Sequence, residues 1–343
     1  MSSKPSILII YTGGTIGMII DQQSGALKPY NFDNLIDYIP TLKLYNYEID
    51  SYSFEPSMDS SNMNPEMWSK IADVIETNYE KYDGFVVLHG SDTMAFTASA
   101  LSFMLQNLNK PVILTGSQLP LGMVRTDGRE NLLTSVEIAA AKEDETPVVP
   151  EVCVYFESEL FRGNRTHKFN AQNFQAFGSP NYPALAHAGV YIDYNRNAIH
   201  KPNFKKLKVI RNMNCNITVL KLFPGITENT VQSILNADGL KAVILETFGS
   251  GNAPNYPWFI DQLKKAIDKN KIILNVTQCQ SGMVEMGKYE TSVQLKNIGV
   301  ISGRDITSEA AVTKLMHLLG NLEDPEEVRK QLQNSIVGEM TVN

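Results

Sequence analysis

Ile7-Leu8-Ile9-Ile10-Tyr11-Thr12-Gly13-Gly14-Thr15-Ile16-Gly17-Met18 is the stretch on which the reading of this chain turns. The apolar run 7–10 shows no polar alternation, which marks a strand buried on both faces in the middle of a parallel sheet. It breaks at Gly13-Gly14, where two residues without side chains let the backbone turn sharply and leave N–H groups unobstructed. Open α/β sheets place their ligands at the carboxyl ends of strands, and the Thr15 hydroxyl falls there. Neither phosphate fingerprint fits, because no Lys-Ser/Thr follows the glycines and Gly-Gly-Thr-Ile-Gly lacks the dinucleotide spacing. Alone, the turn is equally a plain strand-to-helix connection. Thr15 becomes a candidate nucleophile only in the company of a base.

Outward from this stretch, strand and helix signals alternate. Residues 22–30 are polar, carry Ser24-Gly25 and Pro29, and read as a surface loop long enough to act as a lid. A strand is expected over 49–54. Asn64-Pro65 then supplies an N-cap followed by proline at the first helical position, opening a helix toward Tyr79. Strands over 85–88, 111–115 and 152–156 are separated by helices, one with Ala98, Leu101, Leu105 and Leu108 at helical spacing and one over about 131–142. This alternation predicts a mostly parallel sheet covered by helices. After a polar stretch over 181–216, read as a hairpin-like extension and linker, strands recur at 218–222, 242–246, 272–276 and 300–301. Helices fall at about 229–236, 256–269, 308–319 and 325–334. The expected organisation is an α/β chain in two domains: a larger N-terminal domain over 1–195, a linker over 196–216, and a smaller α/β domain over 217–343.

Composition narrows the function classes. A net charge of −7 argues against nucleic acid or an anionic membrane as the standing partner. No apolar run approaches the ~20 residues of a membrane span. The N-terminus passes into the first strand without a signal-peptide core, and the three cysteines, Cys153, Cys215 and Cys279, are odd in number and far apart. A cytoplasmic protein without a disulfide framework is expected.

Four polar clusters each follow a strand or its loop: Thr15, Asp59-Ser60-Ser61, Ser91-Asp92, and Lys168 within Arg162-Gly163-Asn164-Arg165-Thr166-His167-Lys168. Strand C-termini of a parallel sheet share one edge, so these clusters can converge. A hydroxyl attacks poorly at neutral pH without a base, and a partly desolvated lysine oriented by an aspartate can serve. The competing readings are structural. Ser91-Asp92 also suits a helix N-cap, Lys168 beside two arginines suits a solvated basic loop, and His89 suits a hydrogen-bonded core histidine. The remaining histidines show no metal-ligand spacing, and no metal or cofactor is expected.

Thr12-Gly13-Gly14-Thr15-Ile16-Gly17-Met18, Met58-Asp59-Ser60-Ser61, His89-Gly90-Ser91-Asp92-Thr93-Met94, Arg162-Gly163-Asn164-Arg165-Thr166 and Gly249-Ser250-Gly251-Asn252-Ala253-Pro254 together resemble the L-asparaginase family, in detail its cytoplasmic bacterial type I branch. The likeness spans essentially the whole chain in the same order. It implies the two-domain asparaginase-like fold and cofactor-free hydrolysis of asparagine to aspartate and ammonia, with low glutaminase activity. Thr15 would be the nucleophile, and Ser91, Asp92 and Lys168 a hydroxyl–carboxylate–amine relay. Ser60, with Asp59 and Ser61, would hold the substrate α-carboxylate, and Asp92 its α-ammonium. Asn252 resembles a residue lent to a neighbouring subunit's site, which implies a homodimer or a homotetramer built as a dimer of dimers.

Several positions depart from the family pattern. Ser91 stands where threonine is usual, Asn62 where aspartate is frequent, and the lid tyrosine near Gly25 is replaced by Ala26-Leu27, leaving Tyr30 as the nearest candidate. Some type I relatives hold an effector asparagine between subunits. The matching positions here are Glu246 in place of arginine, His167 in place of threonine, and a retained Cys279. Two rival readings share the fold: a transfer-RNA amidotransferase subunit, which calls for an additional N-terminal module, and a non-catalytic amino-acid-binding regulator, which would be expected to lose Thr15 or Lys168.

Overall fold

The structure, a computed structural model, describes residues 4–20, 27–29, 39–287 and 290–342. The chain divides between Arg211 and Asn212 into two compact units. In the first, eight strands form one sheet: β1 (Ser6–Tyr11), β2 (Glu48–Ser53), β3 (Gly84–Leu88), β4 (Val112–Thr115), β5 (Val152–Phe156), β6 (Glu159–Arg162), β7 (Ala186–Ala188) and β8 (Ile192–Tyr194), in the order β8-β7-β6-β5-β4-β3-β1-β2. The five strands from β2 to β5 pair in parallel. The remaining three add antiparallel at one edge.

The sequence explains the centre of this sheet. Ile7, Ile9 and Ile10 are fully buried, as their unbroken apolar run predicts for a strand covered on both faces. Ile7, Ile9 and Tyr11 join one core with Leu132 and Val136 of the helix Gly128–Ala140. That helix begins three residues before the position read from periodicity, at Gly128, whose N–H the Thr126 hydroxyl accepts at 3.0 Å. The helices Pro65–Asn78 and Met94–Met104 bury Trp68, Ile71 and Ile75, and Ala98, Leu101 and Phe103. Strand order places β2 on one side of β1 and β3 on the other. The connection reverses direction there, opening a crevice at the C-terminal ends of β1 and β3, the usual ligand position in such sheets.

Residues 196–211, expected as linker, belong to the first unit. Asn109 Oδ1 accepts the N–H groups of Asn203 and Phe204 at 2.8 and 2.9 Å, and Lys208–Val209 pairs antiparallel with Leu105–Gln106. The second unit holds four parallel strands, β9 (Ile217–Lys221), β10 (Ala242–Thr247), β11 (Ile272–Thr277) and β12 (Ile301–Ser302). One face packs Val243, Leu245 and Ile273 against Phe259 and Leu263 of the helix Pro257–Asp268. The other packs Ile244 and Leu274 against Ala311 and Leu315 of the helix Ser308–Asn321. Among the described residues no helix is long and apolar enough to cross a membrane.

Candidate active site

Three loops meet at the crevice between β1 and β3, and glycines set how closely. Gly13 and Gly14 adopt φ of 145° and 90°, in the region that favours glycine. A Cβ on Gly13 would lie 2.0 Å from the Met58 carbonyl oxygen, and one on Gly14 would lie 2.6 Å from the Gly90 Cα. A Cβ on Gly90 would in turn lie 2.4 Å from Ser60 Oγ. The segments carrying Thr15, Asp59-Ser60-Ser61 and Ser91-Asp92 are therefore in backbone contact. Hydrogen bonds from Thr12 N and Oγ1 to the Leu88 carbonyl (3.0 and 2.9 Å) and from Met58 N to the Thr12 carbonyl (2.5 Å) lock the same junction.

Thr15 opens a short 3-10 turn, Thr15–Gly17, and is half-buried. Ser60 is buried, and its carbonyl accepts the Thr93 hydroxyl at 2.7 Å. Asp59 accepts the Ser61 N–H at 2.9 Å, so its carboxylate caps the turn that presents Ser60. Ser91–Thr93 is a 3-10 turn running directly into the helix Met94–Met104. The first N–H groups of such a stretch have no intrahelical partner and, with the helix dipole, favour negative charge.

Lys168 reaches this edge from a different part of the chain. Its Nζ donates to Ser91 Oγ and to Asp92 Oδ1, both at 2.8 Å. The lysine side chain is 15% exposed, whereas that of Asp92 is 66% exposed. Asp92 thus engages Lys168 with one oxygen and still presents its carboxylate outward. Ser91 spends its hydroxyl on Lys168, and no side-chain cap bond is made at the start of this turn. The N-cap reading of Ser91-Asp92 is not what the structure adopts.

Sequence reasoning missed what holds Lys168 there. Arg162 and Arg165 are buried, not solvated. Arg162 Nε donates to Glu151 Oε2 at 2.7 Å and its Nη2 to the Ala198 carbonyl at 2.8 Å, while the Tyr182 ring lies 4.4 Å from its guanidinium carbon. Burial opposes the Arg162 charge, but Glu151 outweighs it and raises the guanidinium pKa. From this anchor the 3-10 turn Gly163–Arg165 leads to His167–Lys168, which pairs with Phe177–Gly178. Glu151 lies eleven residues before Arg162 with no periodic signal joining them.

Asn252 belongs to the second unit, in the loop after β10. It exchanges backbone hydrogen bonds with Phe248 at 2.8 and 2.9 Å. Buried Asn275 accepts the Thr247 hydroxyl at 2.7 Å and donates to the Gly251 carbonyl at 3.2 Å, bracing the loop. Tyr30, the candidate lid residue, lies outside the described residues, although Leu27–Pro29 pairs antiparallel with Met18–Ile20. Among the described residues no cluster of His, Cys, Asp or Glu could hold a metal ion, and Cys153, Cys215 and Cys279 are free thiols.

Comparison with known proteins gives the family. Residues 6–200 match the model of the asparaginase N-terminal domain, and residues 216–332 that of the glutaminase/asparaginase C-terminal domain. The chain is 42% identical to L-asparaginase 1 of Escherichia coli K12 over 98% of each protein. It is 30% identical to an L-asparaginase of Thermococcus kodakarensis, covering 98% of this chain and 99% of that one. The crystal structure of L-asparaginase I from Vibrio cholerae superposes with a TM-score of 0.90 at 42% identity, over 99% of this chain and all of that one. The chain belongs to the asparaginase family of amidohydrolases.

Proposed function

We propose that this protein hydrolyses the side-chain amide of L-asparagine to L-aspartate and ammonia, with Thr15 as nucleophile. The observation that carries the reading is Lys168 Nζ, 2.8 Å from both Ser91 Oγ and Asp92 Oδ1, at the strand edge where Gly14 and Gly90 bring the Thr15 loop into contact.

The Thr15 oxygen attacks the amide carbon, and the carbonyl electron pair moves onto its oxygen. Collapse expels ammonia and leaves a β-aspartyl ester on Thr15. Water then attacks the ester carbon and releases aspartate, restoring the hydroxyl. The Ser91–Lys168–Asp92 relay moves the proton from the attacking oxygen toward the departing group. Free N–H groups in the first turn from Ser91 stabilise the oxyanion, an effect of about 3 kcal/mol per donor. Ser60, with Asp59 and Ser61, holds the α-carboxylate, and the outward oxygen of Asp92 takes the α-ammonium. These anchors fix the distance to the amide carbon. Glutamine, one methylene longer, misplaces that carbon, and ~1 Å of error costs about 100-fold in rate. Asn252 completes the site of a neighbouring copy in a homodimer or dimer of dimers, acting in the cytoplasm.

The test is ammonia release from asparagine and glutamine by the wild type and by Thr15→Ala. Thr15→Ala is expected to melt like the wild type and lose several orders of magnitude of turnover. Near-native turnover in a normally folded variant would remove Thr15 from the mechanism.

A further inference from the structure

Beneath the crevice lies a buried polar chain that the proposed mechanism does not use. Trp68, Thr97 and His89 come from the helix Pro65–Asn78, the helix Met94–Met104 and the end of β3, and each is at most 5% exposed. Trp68 Nε1 is 3.0 Å from Thr97 Oγ1, Thr97 Oγ1 is 2.9 Å from His89 Nε2, and His89 Nδ1 is 2.6 Å from the Gly90 carbonyl oxygen.

The carbonyl end of this chain fixes a proton on His89. An indole N–H can only donate, so Thr97 Oγ1 accepts from Trp68 and keeps its own proton and one lone pair for His89 Nε2. A carbonyl can only accept, so His89 Nδ1 must carry a proton. Burial lowers the ring's pKa to about 4 and keeps it neutral, so it is the Nδ1–H tautomer and its Nε2 accepts the Thr97 hydroxyl. The Gly90–Ser91 peptide is trans, which points its N–H opposite to its C=O. With the Gly90 carbonyl held inward by His89, the Ser91 N–H points away from the core.

We infer that His89, backed by Thr97 and Trp68, is a positioning residue that sets the plane of the Gly90–Ser91 peptide and so aims the Ser91 N–H at the oxyanion. The inference rests on the reading of Thr15 as nucleophile. Gly90 has no side chain to restrain its torsions, and Gly14 packs on its Cα, so the peptide's orientation needs a hydrogen bond to hold it. An isolated buried carbonyl would also carry an unmet acceptor, and His89 supplies the donor.

The experiment compares His89→Asn, His89→Gln and His89→Leu with the wild type and Thr15→Ala, measuring kcat, KM and melting temperature. An asparagine amide nitrogen overlays Nδ1, whereas a glutamine amide nitrogen overlays Nε2. An oxyanion donor acts in the transition state, so His89→Leu is expected to lose about 10- to 100-fold in kcat with KM changed less than about threefold. His89→Asn should recover at least about tenfold of that loss, and His89→Gln should not. Equal losses in all three variants, tracking melting temperature, would mean that His89 is only packing. An inactive Thr15→Ala beside a His89→Leu of normal kcat removes the positioning role alone. An active Thr15→Ala removes the nucleophile and the oxyanion with it. The imidazole 15N spectrum of the wild type needs no variant to fold. It should show the Nδ1–H neutral tautomer between pH 6 and 8, and an Nε2–H tautomer or an imidazolium overturns the inference.

Discussion

Arg162 and Glu151 form an ion pair of 2.7 Å with side chains only 5% and 6% exposed, on adjoining segments that carry the chain toward Lys168. Breaking such a pair strands a charge without water. Glu151→Leu is expected to cost about 3–5 kcal/mol in urea unfolding, whereas Glu151→Leu with Arg162→Met should recover most of it. A single variant within about 1 kcal/mol of wild type would show that Arg162 finds another partner.

The Lys168–Ser91–Asp92 contact predicts shared function. Ser91→Ala and Lys168→Met should each reduce kcat strongly, and the double variant should be little worse than either, because groups acting as a unit are not additive. Ser91→Thr keeps the hydroxyl and should stay active. Losses that multiply in the double variant would separate the two residues.

Glu246, at the position where the resemblance expects an effector-binding arginine, accepts the Ser308 hydroxyl at 2.8 Å and lies 3.7 Å from Lys221 Nζ. Its carboxylate repels an effector's carboxylate where a guanidinium would clamp it. With the main charge contact reversed, asparagine has little differential affinity through which to shift a conformational equilibrium. Saturation with asparagine should be hyperbolic. A sigmoidal curve made hyperbolic by Cys279→Ala or His167→Ala would contradict this.

His89 and His317 are both held neutral by burial, each with a pKa lowered to about 4. The unfolded chain takes up those protons near the ordinary value of about 6.5. Their stabilising contribution is therefore intact above pH 6.5, falls as pH drops toward 4, and changes no further below it. Each contributes a slope of about 1.4 kcal/mol per pH unit at most inside that window. Melting temperature should decline between pH 6.5 and 4, and His317→Leu should flatten the decline. A flat profile there would contradict the neutral assignment.

How much of this was legible follows from what each feature asks of the sequence. β1 announces itself because burial on both faces demands an unbroken apolar run, and the helix at Pro65 because Asn64 caps it through bonds to Glu66 N and Met67 N at 3.0 and 3.2 Å. The hairpin joining β5 to β6 stays hidden, because Glu157 and Ser158 occupy its two left-handed turn positions (φ 44° and 67°) where Asn-Gly is the usual signal. Residues 196–211 read as linker because their attachment runs through Asn109 and a two-residue ladder, and neither leaves a hydrophobic period. At the site, the residue types were legible while their support was not. The buried partners Glu151, Thr97 and Trp68 lie at separations set by tertiary packing, which no local spacing encodes.

The contact of Gly14 with Gly90 has a consequence for how this catalyst can be altered. Two positions without side chains set the gap between the Thr15 and Ser91 segments, so main-chain atoms fix that interval and no rotamer can adjust it. A single methyl at Gly14 would have to displace a whole loop, and one at Gly90 would drive into the Ser60 side chain. Redesign aimed at longer or bulkier amides therefore gains nothing by widening the junction itself. Its room for change lies in the grip proposed for the far end of the substrate, at Ser60, where a side chain can be exchanged while the Lys168–Ser91–Asp92 contact stands still.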